Sequence, residues 1–199
     1  VGFPGDRDVE RVRLARSAVG PATQLMVDAN GAYDRKRALA LASAFAESGV
    51  VWLEEPVSSD DLSGLHLLRD QGPPGMSVAA GEYGFDLPYF RRMLEAEAVD
   101  ILQADATRCL GLTGFRGAAH LCEAFGVPLS AHCAPSLHLH VACACEPLVH
   151  IEYFYDHVRI EEKLFEGFVR PANGQLEPDR SRPGIGVELK ETDATRYAA

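Results

Sequence analysis

The chain has 199 residues, enough for one hydrophobic core or most of a larger one, and its 47% hydrophobic and 24% charged content is ordinary for a soluble globular protein. A formal net charge of -10 argues against nucleic acid or an anionic membrane surface as a partner. Five cysteines, odd in number and without a C-x-x-C pair, make a disulfide framework unexpected and a reducing cytoplasm the expected compartment. No apolar run is long enough to span a membrane, and VGFPGDRDVE has neither the basic region nor the apolar stretch of a signal peptide.

In chain order, the periodicity predicts a helix over residues 6–19, with its Asp and Arg charges outward and Val9, Val12, Ala15 and Val19 inward; the run of charges from Asp6 to Arg16 then reads as a solvated face. Gly20-Pro21 stops it. A strand over 24–30 leads to a helix over 34–48, with Gly49 at its C-terminal cap, and then to a strand over 50–56. A helix over 60–70 ends at Gly72 and precedes a strand over 76–82. Asp86, with Pro88 in the first turn, opens the next helix, which leads to a strand over 100–105. A helix over 113–125 ends at Gly126, a strand covers 127–133, a small-residue helix covers 136–145, and a last strand covers 148–154.

The strands are apolar throughout rather than alternating, as when helices cover both faces of a parallel sheet. Alternating strands and helices with short connections give the α/β class. Six strands are expected, whereas a closed (β/α)8 barrel needs eight and typically about 250 residues. Two forms remain open at this point: an open six-stranded sheet, or a TIM-type barrel whose first two strands lie before Val1. Residues 1–154 form the expected (β/α) domain. Residues 155–199, rich in Pro and Gly, are expected to wrap its surface or reach toward another domain.

Asp28, Glu54, Glu82, Asp105, His132 and Glu152 each close a predicted strand, at intervals of 26, 28, 23, 27 and 20 residues. That spacing is one strand plus one helix. In a parallel barrel the C-terminal ends of the strands gather on one face, so three carboxylates followed by an Asp/His pair read as a metal site beside an acid–base site. Hard oxygen donors suit Mg2+. A carboxylate on one nitrogen of a histidine fixes its tautomer and stabilises the imidazolium formed when the other nitrogen takes a proton. His138 and His140 with Cys143 and Cys145 could suggest zinc, but helical spacing scatters them, and packing is the preferred reading.

VDAN at 27–30, WLEEP at 52–56, GE at 81–82, QADATRCLGLTG at 103–114, SAH at 130–132 and HIEYF at 150–154 resemble the enolase superfamily, within it the mandelate racemase subgroup. The resemblance runs over roughly residues 6–190. It implies a Mg2+-dependent enzyme that removes the proton α to a carboxylate, with Asp28, Glu54 and Glu82 as metal ligands. By the same resemblance His132 is the general base or acid, paired with Asp105, and Glu152 hydrogen-bonds the developing enolate oxygen. Asn30 would lie beside the substrate, and Arg108 is expected to meet a substrate anion or to close a loop salt bridge. Glu55 reads as a supporting residue behind the metal ligands.

The family's Lys-x-Lys motif and its capping domain are not in this sequence, and the chain begins at Val1, which therefore reads as a cut point. The leading expectation is an acid-sugar dehydratase giving a 2-keto-3-deoxy acid. A racemase or epimerase of a 2-hydroxy acid and an inactive metal-binding fragment are the alternatives. The expected partner is a small carboxylate substrate; the family also forms symmetric homo-oligomers. Little or no turnover is expected of these 199 residues alone.

Overall fold

Six parallel strands alternate with helices in the computed structural model, which describes residues 1–5 and 7–197. Two units are distinguishable, residues 1–83 with 88–103 and residues 84–87 with 104–199. The first carries α1 (Asp8–Val19), β1 (Leu25–Asp28), α2 (Arg35–Ala46), β2 (Val50–Glu54), α3 (Leu62–Gln71), β3 (Ser77–Ala80), all but the first residue of α4 (Leu87–Glu95) and all but the last residue of β4 (Ile101–Ala104). β1, β2, β3 and β4 pair in that order, always parallel, with Asp28 opposite Glu54 and Glu54 opposite Ala79.

The local signals explain these elements. Asp34 caps α2 by accepting from the Arg37 amide at 2.9 Å, and Asp61 caps α3 by accepting from the Gly64 amide at 3.1 Å. The inner strands β2, β3 and β4 are buried almost throughout, as continuous apolar runs predict. β1 is more exposed, with Met26 at its surface, because it pairs on one side only. Val12, Ala42, Phe45, Val50 and Leu53 form a core between α1, α2 and the sheet. A fully buried Phe such as Phe45 contributes roughly 1.5–3 kcal/mol by leaving water.

The second unit holds α5 (Gly111–Phe125), β5 (Leu129–Ala131), α6 (Pro135–Ala142), β6 (Leu148–Ile151), α7 (Tyr155–Leu164), the short antiparallel pair β7 (Phe165–Glu166) and β8 (Glu188–Leu189), α8 (Glu191–Ala194) and a 3-10 turn at Thr195–Tyr197. β5 and β6 are parallel. Gly126 ends α5 in the left-handed region at φ 67°, as the sequence predicts for a helix terminus. α7 lies where the periodicity gives no element. Only Val158 of that helix is buried, so the apolar stripe that would announce it is too thin to read. No helix among the described residues is long and apolar enough to cross a membrane.

The first helix departs from expectation in two ways. Its predicted first residue, Asp6, lies outside the described residues. Of the charges expected to face solvent, Asp8 is instead 2% exposed, while Val19, expected inward, lies on the surface. Asp8 accepts from the Tyr33 hydroxyl at 2.8 Å, the Gly2 amide at 3.1 Å and the Arg11 guanidinium at 2.7 Å. Burial pushes the Asp8 carboxyl up, but the hydrogen bonds from Tyr33, Arg11 and Gly2 outweigh it and hold it below its usual value. A carboxylate on a helix's polar face can turn inward where such donors meet it, and one sequence does not reveal them. Tyr33→Phe is therefore expected to cost about 1 kcal/mol, and Asp8→Ala more, because it also leaves a buried hydroxyl without its acceptor. Urea unfolding of both variants checks the order; equal or negligible losses would remove Asp8 as an anchor.

Candidate functional site

The three carboxylates read as metal ligands belong to the first unit and sit at or just past the ends of β1, β2 and β3. Asp28 and Glu54 are register partners on adjacent strands, whose axes in a sheet lie about 4.8 Å apart. Glu82 follows two residues after β3 and is 4% exposed; Glu54 is 9% exposed. The Glu54 carboxylate accepts from the Trp52 indole N–H at 2.9 Å, which fixes one oxygen. Asp28 accepts from both the backbone and the side-chain amide of Asn30. Asn30, expected beside a substrate, thus has its amide on the Asp28 carboxylate.

These three residues supply oxygen donors only, and two of them are nearly fully buried, where carboxylate charge is costly without a cation. The set fits a hard divalent ion such as Mg2+. Glu55, next in sequence to Glu54, is 1% exposed.

The backbone just beyond the strand ends is unusual. Asn30 (φ 47°), Glu55 (φ 38°) and Cys133 (φ 48°) are all non-glycine residues in the left-handed region, and each follows a candidate site residue by one or two positions. Such conformations cost on the order of 1–3 kcal/mol each and persist only where the surroundings over-determine them. Gly81 meets the related demand before Glu82. Its φ is 130°, and a Cβ there would lie 2.3 Å from the Gln103 carbonyl oxygen, so β3 can approach β4 this closely only with glycine.

The second unit brings Asp105, His132 and Glu152 together. The Asp105 carboxylate and His132 Nδ1 are 2.9 Å apart, and Glu152 Oε2 lies 3.9 Å from His132 Nε2. Asp105 also accepts from the Thr107 amide and hydroxyl, each at 2.7 Å. Burial alone would raise the Asp105 pKa; the hydrogen bonds from His132 and Thr107 outweigh it and bring it to about 2. Asp105 therefore stays ionised, and with Nδ1 bound to it His132 directs Nε2 away from the carboxylate. Arg108 stands 3.8 Å from Asp105.

Two residues at this cluster carry roles that the sequence reading did not assign. Cys133 donates its amide to Glu152 Oε2 at 3.0 Å and its thiol to the same oxygen at 3.2 Å, so it fixes that carboxylate. His138, read as packing, is fully buried, and both its ring nitrogens meet the backbone. The Ala106 amide donates to Nε2 at 2.9 Å, so Nδ1 carries the proton and donates to the Cys133 carbonyl at 2.9 Å. Burial lowers its pKa, which keeps it neutral in this bridging role. The bridge ties the turn after Asp105 to the turn after His132. Cys143 and Cys145, the other half of the zinc pattern set aside above, donate their thiols to carbonyls of α6.

The family model described as enolase C-terminal domain-like matches residues 1–193. The chain belongs to the enolase C-terminal domain-like family. Its six βα units are of the (β/α)-barrel type seen in solved members. A mandelate racemase/muconate lactonizing enzyme-like protein from Rubrobacter xylanophilus is 53% identical and superposes with a TM-score of 0.96 over 100% of this chain and 55% of that one. L-talarate dehydratase from Polaromonas sp. JS666, solved with Mg and L-glucarate, is 32% identical with a TM-score of 0.87 over 98% of this chain and 53% of its own. L-rhamnonate dehydratase from Saccharopolyspora erythraea is 31% identical over 92% of this chain and 48% of the relative. The chain spans about half the length of most of the curated relatives it matches.

The depressed pKa of Asp105 has a consequence for this family member's stability. A carboxyl that titrates lower in the folded state than in the unfolded one, near 3.9, adds stability that is fully present above that value and is lost as pH falls toward about 2. The contribution is on the order of 2 kcal/mol for a side chain this buried. The stability difference between the native chain and Asp105→Asn is therefore expected to be largest above about pH 5 and to shrink steadily below it. Urea denaturation across that range checks this; a difference independent of pH would mean that the Asp105 charge is not what is stabilised.

Proposed function

We propose that this chain carries the barrel residues of an acid-sugar dehydratase, which removes the proton α to a carboxylate and expels the β-hydroxyl as water to leave a 2-keto-3-deoxy acid. The observation that carries this reading is the Asp105–His132 hydrogen bond, at 2.9 Å and with Asp105 ionised, in a chain of this family. Kinship supports the substrate class, since relatives named as dehydratases of talarate, galactarate and rhamnonate match nearly the whole chain.

In this reading Asp28, Glu54 and Glu82 hold Mg2+. The ion's role is electrostatic, to stabilise negative charge as it develops on the substrate carboxylate. His132 Nε2 takes the α-proton while Asp105 stabilises the imidazolium across the ring. The same histidinium then protonates the departing β-hydroxyl, so one residue on one face removes a proton and returns it to the leaving group. The atoms balance as loss of one water, and the enol product tautomerises to the ketone. Glu152 hydrogen-bonds the oxygen on which charge accumulates. Arg108 and Asn30 contact the substrate or, as the Arg108–Asp105 ion pair and the Asn30–Asp28 hydrogen bond suggest, orient Asp105 and Asp28.

The test uses L-glucarate and related hexarates with Mg2+ in D2O, followed by NMR. Little or no product is expected from the 199 residues alone. With the chain joined to the family's preceding strands and capping domain, formation of a 2-keto-3-deoxy acid is expected, and His132→Ala in that protein should slow it by about 10²–10⁴-fold, the usual contribution of a positioned acid–base group. Deuterium entering the α position without loss of water would favour a racemase or epimerase. Equal rates for that protein and its His132→Ala variant would remove His132 as the base. Magnesium binding that depends on Asp28, Glu54 and Glu82 with no exchange at all would leave a metal-binding fragment.

A further inference from the structure

We propose that His132, Cys133 and Glu152 form a second metal site, made of donors other than Asp28, Glu54 and Glu82 and selective for Zn2+ or a similar thiophilic divalent ion. Their donor atoms, His132 Nε2, Cys133 Sγ and Glu152 Oε2, lie within 4.8 Å of one another. The three separations are 3.4 Å from nitrogen to sulfur, 3.2 Å from sulfur to oxygen and 3.9 Å from nitrogen to oxygen. Zinc bonds of about 2.0–2.1 Å to nitrogen, 2.3 Å to sulfur and 2.0–2.2 Å to oxygen, at tetrahedral angles, put such donors about 3.4–3.6 Å apart. Three atoms at the observed separations lie on a circle of radius about 2 Å, so an ion held just above its plane is near bonding distance of all three, and shifts of a few tenths of an ångström in the 3.2 Å and 3.9 Å separations bring them to the tetrahedral values.

The surroundings support the same reading. His132 Nδ1 is held by Asp105 at 2.9 Å, the carboxylate–histidine arrangement that fixes the tautomer and presents the opposite nitrogen to a metal. Glu152 Oε2 is fixed by the Cys133 amide. Cys133 and Ala134 lie consecutively in the left-handed region, at φ 48° and 40°, a costly backbone path that turns the chain sharply beside the cluster. Three protein ligands leave a fourth position open, and the Glu152 side chain is 36% exposed, which gives an ion a way in.

The donor set determines the metal. Sulfur is a poor ligand for Mg2+, which takes oxygen, whereas nitrogen, sulfur and carboxylate together suit zinc. Binding would release the Cys133 thiol proton to solvent as the thiolate bonds the ion. The ion would also take the Nε2 lone pair, so if the dehydratase reading holds, zinc inhibits. The assignment itself rests on donor geometry and stands or falls apart from that reading.

Cobalt(II) is the probe, since a thiolate ligand gives it a charge-transfer absorption in the near ultraviolet. One equivalent of Co2+ added to the full chain is expected to produce that band, and Zn2+, but not Mg2+, to abolish it. Cys133→Ser should remove the band and weaken Zn2+ binding by more than about 100-fold, beyond the 10–100-fold typical of losing an outer partner. Glu152→Gln should weaken Zn2+ binding while keeping the band. Cys143→Ser, at the exposed cysteine, and Asp28→Asn should leave both band and affinity unchanged. Circular dichroism of each variant separates lost ligation from lost folding. A band that survives in folded Cys133→Ser, cobalt binding without the band, or no cobalt binding would each overturn the proposal.

Discussion

The candidate residues depend on the parallel ladder continuing past the strand ends. The Glu152 amide donates to the Ala131 carbonyl and the His132 amide to that of Ala104, both at 2.9 Å. In the first unit the Ala29 amide donates to the Glu54 carbonyl at 3.0 Å and the Glu55 amide to that of Ala79 at 2.9 Å. Each site side chain therefore leaves a backbone whose height and direction are set by the neighbouring strand. A slip of one residue would turn every such side chain to the opposite face, and burial of the inner strands makes that slip expensive.

Just beyond these last rungs the chain must turn, and there it takes conformations that most residues avoid. The left-handed residues after Asp28, Glu54 and His132 would relax if the surroundings allowed it. Around His132 the restraint is visible. His138 holds the Cys133 carbonyl and the Ala106 amide through one buried ring, and Phe115 packs against that ring with centroids 4.9 Å apart. Aromatic packing and two hydrogen bonds offset the backbone cost, and they keep Asp105 and His132 on turns that cannot drift apart independently. The histidine is thus structural in its contacts and positioning in its effect.

Much of this was legible in the residues. Runs such as VVWLE announce buried parallel strands, Asp86 with Pro88 announces a helix start, and the spacing of the acids, one strand plus one helix, announces that they share a type of position. The six predicted strands all form, with ends trimmed by up to three residues. What escaped reading has a common physical origin, because it depends on contacts between segments distant in sequence. Asp8 turns inward because Tyr33, 25 residues away, brings a hydroxyl to it. Cys133 carries no signal in the sequence, and its bond to Glu152 needs the pairing of β5 with β6. α7 escaped for a different reason, since one buried side chain is too little periodicity to distinguish a helix from a polar loop.

In the proposed reading, a chain of net charge -10 would work against its own field when attracting a carboxylate substrate. Chemistry on such a substrate then requires positive charge that the sequence composition does not supply, and the two units answer this differently. In the first, oxygen donors with two buried members favour a hard cation that brings charge from outside. In the second, Asp105 stays ionised through the neutral range, so a proton arriving on His132 Nε2 meets a fixed negative charge 2.9 Å from the opposite ring nitrogen. That carboxylate would lower the cost of making an imidazolium from the ring nitrogen opposite the one that takes the proton. The anionic composition is therefore not at odds with an anionic substrate. In that reading it would hold an imported cation in one place and a transferred proton in the other.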